Sequence, residues 1–429
     1  MKTSMTFVRR VAAVGAISII AASCSSSKTT ATTTTGATTT GATTTVAGDT
    51  TTTTGATTTV PDVLGTPTAA TGTALKVGYI YSGVSAGIDA TEELNAAQAV
   101  VKYYNEYKGG FGGHKLELDV CGTNEDPAIA ADCGAKMVSD GVPIVLMNVN
   151  GQVAPWIKTV SGAGIPTLAF AAADVSMLGQ AAFSMSNGLA GLGAFPASIA
   201  KEKGVKSAAI MSTNVPAAIG AAKALAPLAF TPLGITDLNI VGIDAAASDM
   251  GPDAQAIIAK GAQLVHIIGN PSFCSTAIKG LRDASFKGTI TMISNCLDKT
   301  VVSSLGAQLK DIIVSYAAGE DPANADIVLF KGIVAKYDSK VNPAGTPVGS
   351  FAVITAFNEI MAKVTGDVTK EAVTAAIKTG GPYPYPTLKG ATFNCDGKAI
   401  AIFPPVCTVS YATAVLDDKG TATNFKVGS

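Results

Sequence analysis

The stretch "KVGYIYSGVSAGIDATEELNAAQAVVKYYNEYKGGFGGHKLELDVC" (Lys76–Cys121) decides how the rest of the chain is read. Its first six residues, Lys76–Tyr81, form a short apolar run with alternation. From Thr91 to Tyr107 the apolar residues Leu94, Ala97, Val101 and Tyr104 recur at helical spacing. Lys115–Cys121 then alternates with period two, as a strand does. Strand, helix, strand is the unit from which parallel sheets are built, with a right-handed crossover.

The same alternation continues downstream. Asp126-Pro127 reads as the N-cap and first residue of a helix that carries Cys133. Val142–Met147 ("VPIVLM") is a continuous apolar run suited to a buried parallel strand. A helix near Ala154–Ser161 and the strand Ile165–Phe170 complete four such steps. A second series starts with a strand ending at Met185 and a helix from about Leu189 to Lys203. It continues through strands Ser207–Met211, Leu238–Ile243, Gln263–Gly269 and Thr289–Ser294, with helices from Pro216, Pro252 and about Ser275. The tail differs. It reads as helices near Asp326–Tyr337, Ser350–Val364 and Lys370–Lys378, then a strand pair around Cys395-Asp396-Gly397 and Cys407–Ala412, with Asp-Gly as the turn.

In such sheets ligands sit where loops and helix N-termini converge at the carboxyl ends of strands. The loops to watch are Ser82–Ile88, Gly122–Asp126, Asn148–Gln152 and Ala171–Asp174 in the first series. In the second they are Ser212–Pro216, Asn270–Phe273 and Asn295–Asp298. Their Asn and Ser residues suit either a small polar ligand or plain helix capping.

About 355 residues from Leu75 onward exceed one ordinary core, so two lobes are expected. Net charge is −1 and no basic stripe is visible, which argues against nucleic acid as a partner. Six cysteines, Cys121, Cys133, Cys274, Cys296, Cys395 and Cys407, read as disulfides of an exported chain, and spacing favours neighbour pairing. A metal site is the poorer alternative, because no CxxC occurs and His114 and His266 lie far apart. Each histidine reads as structural. No GxSxG, P-loop or HExxH motif is present, and the glycine spacing of Gly188–Gly193 ("GLAGLG") is wrong for a dinucleotide, so neither catalysis nor a cofactor is expected.

Upstream, Lys2, Arg9 and Arg10 precede the apolar stretch Val11–Ala22, too short for a bilayer-spanning helix of roughly 20 residues. This reads as an export signal, residues 1–23. Ala21-Ala22-Ser23-Cys24 resembles a bacterial lipobox, with Cys24 as the lipidated residue. From Thr29 to Thr73, 24 of 45 residues are threonine, so residues 24–74 read as a disordered tether, open to O-glycosylation. As a coil it reaches roughly 35–40 Å.

The quoted opening, with Tyr81-Ser82-Gly83, the long helix ending in Asn105, and Gly109-Gly110 and Gly112-Gly113, resembles the leucine/isoleucine/valine-binding family, type I periplasmic binding proteins of ABC importers. Gly162–Phe170, Leu281–Ser294 and Leu388–Ala399 also match family positions. The resemblance implies two doubly wound parallel-sheet α/β lobes joined by three crossovers, with a C-terminal hairpin. Lobe 1 would be 75–188 and 317–382; lobe 2 would be 189–316 and 383–429. It also implies ligand contacts from Tyr81, Ser82, Asn148, Asn150, Gly151, Gln152, Ala172 and Ala173, with Asn270, Asn295 and Asp298 from the second lobe. The family's hydroxyl clamp for a ligand carboxylate is altered here to asparagine, glutamine and alanine. Trp156 either walls the cleft mouth or packs on its helix. The expected function is lipid-anchored capture of a small polar or amino-acid-like ligand, outside the cell membrane or in a periplasm, for delivery to a membrane permease. A ligand-sensing receptor component or an exported enzyme are the alternatives.

Overall fold

The computed structural model describes residues 63–85, 88–171 and 174–429. The expected signal segment, Cys24, most of the expected tether, and Ala172 and Ala173 lie outside the described residues. Where the tether's expected end is described, it is ordered against the fold. Leu64 is buried, its carbonyl accepts from Tyr103 Oη, and Ala70 N–H donates to Asn105 O at 2.8 Å. An apolar pair, Val63-Leu64, in an otherwise threonine-rich run supplies the burial that orders these residues, so the folded part begins about ten residues before Leu75.

The first sheet holds five parallel strands: β1 (Gly72–Tyr81), β2 (His114–Gly122), β3 (Val145–Met147), β4 (Thr167–Ala169) and β5 (Ala182–Ser184), in the order β2-β1-β3-β4-β5. Between them run helices α1 (Thr91–Tyr107), α2 (Pro127–Ser139) and α3 (Ala154–Gly162). Asp126 caps α2 as its sequence suggests: its Oδ1 accepts from Ala128 N at 2.7 Å and Ile129 N at 3.1 Å. The second sheet repeats the order with β6 (Ala208–Thr213), β7 (Asn239–Ile243), β8 (Leu264–Ile268), β9 (Thr289–Ile293) and β10 (Ile313–Tyr316), arranged β7-β6-β8-β9-β10. Helices α4 (Ala194–Lys203), α5 (Pro216–Phe230), α6 (Gly251–Ala259), α7 (Pro271–Asp283) and α8 (Lys299–Leu305) cover it. Two antiparallel strands, β11 (Tyr411–Leu416) and β12 (Ala422–Gly428), extend it beyond β10. Helices α9 (Ala325–Tyr337), α10 (Thr346–Met361) and α11 (Lys370–Thr379) return to the first sheet, where α10 packs along α1.

The chain therefore passes between the two α/β lobes three times. The first crossover leaves the carboxyl end of β5. The second leaves the carboxyl end of β10. The third enters β11, whose Ala412 pairs with Tyr316 at that same end of β10. These segments are stitched together. Tyr385 Oη donates to Ala317 O at 2.8 Å, Gly319 N to Thr387 Oγ1 at 3.0 Å, and Asn187 Nδ2 to Val409 O at 3.1 Å.

The expected hairpin at Cys395–Gly397 and Cys407–Ala412 is misplaced. The segment 395–407 is irregular and closed by a disulfide, because Pro404-Pro405 removes two ladder donors. The paired strands are instead Tyr383–Pro384 with Thr392–Phe393, and β11 with β12. The bridges join Cys121–Cys133, Cys274–Cys296 and Cys395–Cys407, the pairing expected from spacing.

Candidate functional site

In both sheets the order reverses direction between the first and third strands, so loops diverge there and leave a crevice at the carboxyl ends. In the first lobe that point lies between β1, followed by Ser82, and β3, followed by Asn148–Gln152. In the second it lies between β6 and β8, which is followed by Asn270. All three crossovers attach at these same carboxyl ends, so the two crevices open toward one hinge.

The first-lobe wall is a linked set of short polar groups. Thr123 N–H donates to Tyr81 O at 2.9 Å, and its hydroxyl donates to Ser82 O at 3.4 Å. Asn150 Nδ2 donates to that hydroxyl at 3.3 Å, while Asn150 Oδ1 accepts from Gln152 N at 2.8 Å. Ser82 Oγ donates to Val149 O at 3.5 Å. Ser82 and Asn150 are thus brought together through Thr123, a buried residue that sequence reading left unnamed inside a loop it had marked. Gly151 is exposed and Gln152 half-buried. The Glu125 carboxylate occupies the place a side chain on residue 151 would need. Tyr81 is half-buried and stacks 6.5 Å from Tyr79. Helix α3 begins at Ala154 without a side-chain cap; Pro155 has no N–H and Trp156 N donates to Val153 O at 3.2 Å, so in its first turn only the Ala154 N–H is left for another partner.

Asn148 departs from its expected role. Its side chain is fully buried and points into the lobe, where Nδ2 donates to Thr346 O at 2.8 Å at the start of α10. Gly349 makes this possible, since a Cβ there would overlap Asn148 Oδ1 and Phe170. Gly349→Ala is accordingly expected to displace Asn148 and cost about 1–3 kcal/mol as overpacking, read by urea unfolding. Unchanged stability would show that α10 can shift to make room.

In the second lobe, Asn270 and Asp298 are exposed and act as caps. Asn270 Oδ1 accepts from Phe273 N at 2.9 Å, and Asp298 Oδ1 from Val301 N at 2.7 Å. Asn295 is exposed on the turn after β9, which the Cys274–Cys296 bridge ties to α7. Trp156 is fully buried against Gly134 of α2, which removes it from the cleft mouth.

His266 is fully buried in β8. Nε2 lies 2.7 Å from Gly191 O, which can only accept, so Nε2 carries the proton; Nδ1 accepts from the Thr291 hydroxyl at 2.9 Å. Burial pushes its pKa down to about 4. His114 lies beside Thr73, with Nδ1 3.2 Å from its carbonyl. Gly193 of the glycine-rich run meets α5 closely, since a Cβ there would lie 3.0 Å from Ala226 Cα. Two carboxyls flank the start of α10. Burial raises Glu320 to about 6, with Gly345 N–H as its donor. Burial likewise raises Glu93 to about 7, beside Asn148 and Thr346.

A family model described as "Periplasmic binding protein" matches residues 74–404. No curated protein matches the sequence significantly. Among solved structures, a putative branched-chain amino acid ABC transporter protein from Rhodospirillum rubrum is 17% identical, with a TM-score of 0.68 over 82% of this chain and 99% of that one. A solute-binding protein from R. palustris, in complex with 4-hydroxybenzoate, is 17% identical, with a TM-score of 0.65 over 82% and 95%. The branched-chain amino acid binding protein LivJ from Streptococcus pneumoniae, in complex with isoleucine, is 14% identical, with a TM-score of 0.61 over 83% and 99%. At these identities the likeness is one of fold.

Proposed function

The chain belongs to the periplasmic binding protein family, and from that premise we propose that it is the lipid-anchored solute-binding subunit of an ABC importer. The observation that carries this reading is the placement of three crossovers at the carboxyl ends of two sheets with the same strand order. A molecule held at both switch points lies across a hinge, and binding stabilises the closed arrangement of the lobes. The captured ligand is a small polar or amino-acid-like compound. Tyr81, Ser82, Asn150, Gly151 and Gln152 meet it from the first lobe, and the exposed Asn270, Asn295 and Asp298 line the facing side. The uncapped start of α3 offers the Ala154 N–H to a ligand carboxylate, where the family's clamp has hydroxyls. Cys24 anchors the chain to the cell membrane, and the threonine-rich tether lets the loaded form reach its permease.

The test uses the chain from residue 59 onward with its disulfides intact, screened by thermal shift against isoleucine, leucine, valine, amides and 4-hydroxybenzoate. A ligand at about 100 times its Kd adds roughly 2.7 kcal/mol, and saturation should shrink the small-angle scattering radius. A bound ligand with an unchanged radius would overturn the closing mechanism. No response to any compound would sink the ligand class.

A further inference from the structure

Among the acids on the loops that follow β1 to β10, Glu125 is the exception. Asp126 and Asp298 cap α2 and α8, and Glu320 takes the Gly345 N–H. The remaining aspartates on these loops each accept an N–H from two residues ahead. Among the described residues no donor reaches the buried Oε1 of Glu125, and no lysine or arginine pairs with its carboxylate. A buried carboxylate oxygen left in this way is costly unless something outside the chain compensates it.

The backbone holds this side chain in place. Asn124 and Glu125 have φ of 50° and 55°, a left-handed conformation that few glutamates adopt. Both neighbours are pinned. Asn124 Oδ1 accepts from Val84 N at 3.1 Å, and Asp126 N donates to Thr123 O at 3.0 Å. The carboxylate therefore borders Gly151, on the wall that Ser82, Thr123 and Asn150 form; a Cβ on residue 151 would overlap its Oε2. Val84, bonded to Asn124, and Val149, two residues before Gly151, are exposed apolar side chains. None of the loops that follow β1 to β10 contains Lys or Arg, although the chain has 30. Lys299, the first residue beyond the loop after β9, is exposed on α8.

We propose that Glu125 sets the ligand's charge: its carboxylate receives the cationic nitrogen of a small amine whose apolar body lies on Val84 and Val149. An ammonium at Oε2, the oxygen beside exposed Gly151, neutralises a carboxylate that the chain itself leaves uncompensated. Asp298, the acid expected from the facing lobe, is already held by Val301 N. A carboxylate on the ligand meets no cation on these loops and only the Ala154 N–H, so the ligand's net charge is zero or positive.

This inference rests on the reading of 148–152 as a wall of the ligand cleft. Its test sets isoleucinamide against 3-methylpentanamide, the same molecule without the amine, with 4-hydroxybenzoate as the anionic probe. Calorimetry and the scattering radius are read at pH 6 on the disulfide-intact protein. Wild type should bind isoleucinamide about 10–100-fold more tightly than 3-methylpentanamide. Glu125→Gln should lose most of that preference while keeping its affinity for 3-methylpentanamide. Added salt should weaken isoleucinamide in wild type and much less in Glu125→Gln. Without ligand, Glu125→Gln should melt within about 1 °C of wild type, as a residue kept for a ligand does. A larger loss makes Glu125 a structural residue and overturns the proposal. So does an amine preference that survives in Glu125→Gln. If 4-hydroxybenzoate alone binds and contracts the radius, the proposal falls and the solute-binding reading stands. If no probe binds wild type, both fall.

Discussion

His266→Leu is expected to cost about 3–5 kcal/mol of stability at pH 7, among the largest effects of any single substitution in the chain. The ring stands in the middle of β8 and is sealed from water. Its two nitrogens complete Gly191 O on the first crossover and the Thr291 hydroxyl on β9, and its edge meets Phe195 with centroids 5.7 Å apart. Leucine fills most of the space but offers neither a donor nor an acceptor, so two buried groups lose their partners together. His266→Gln, which can offer both, should recover part of the loss. Urea unfolding of the three proteins decides this; a leucine variant within about 1 kcal/mol of wild type would mean that water replaces the ring.

The same residue fixes a pH dependence. Its pKa falls from 6.5 to about 4 because burial disfavours the imidazolium. The native state therefore binds fewer protons than the unfolded chain between those values. Its contribution is complete above pH 6.5 and is lost as pH falls toward 4, up to about 3 kcal/mol. Glu93 acts in the opposite direction, since a raised carboxyl pKa removes stability as pH rises from 4.5 through 7. His266→Leu should flatten the acid side of the stability curve alone.

Much of the architecture is legible in residue order. Strands show as short apolar runs, helices as spaced ones, and Asp126-Pro127 marks its helix start correctly. The late hairpin is misread because the Asp396-Gly397 signal is local. Gly397 does adopt φ 78°, and Asp396 Oδ1 accepts from Lys398 N at 3.1 Å, so a turn forms there. What decides pairing is the flanking pattern. The near-continuous apolar run Tyr411–Leu416, followed by the turn held by Asp417 and the strand Ala422–Gly428, carries that signal. The loops that follow β1 and β3 are likewise legible as loops at strand ends, but the direction of their side chains is not. Asn148 and Asn150 are two residues apart and chemically identical. One faces α10 only because Gly349 leaves room, and the other joins the wall through Thr123. Those partners come from distant parts of the chain. Glu93 escaped notice for the same reason: nothing local tells a solvated acid on α1 from one that α10 covers.

The third crossover supports a prediction that separates chain entropy from hinge mechanics. Cys395–Cys407 and Cys121–Cys133 each close a loop of sequence separation 12. The entropy each removes from the unfolded chain is the same, and replacing either pair by alanine should cost about 3 kcal/mol. Their native surroundings differ. Cys121–Cys133 joins β2 to α2 within one lobe. Cys395–Cys407 lies where the third crossover docks on the first: Ser184 N donates to Pro405 O at 2.8 Å, Cys407 N to Ser184 O at 2.8 Å, and Asn394 N to Cys407 O at 2.7 Å. That bridge holds a short parallel pairing at the end of β5, where the chain leaves its first lobe. Loss of either should lower melting by a similar amount. Only Cys395→Ala/Cys407→Ala should also enlarge the scattering radius without ligand and weaken its contraction with ligand, because a loosened crossover lets the lobes sample wider openings. If both double variants scatter like wild type, the hinge is held by hydrogen bonds and packing alone. If both change equally, the effect belongs to general loosening, and the third crossover has no special part in closure.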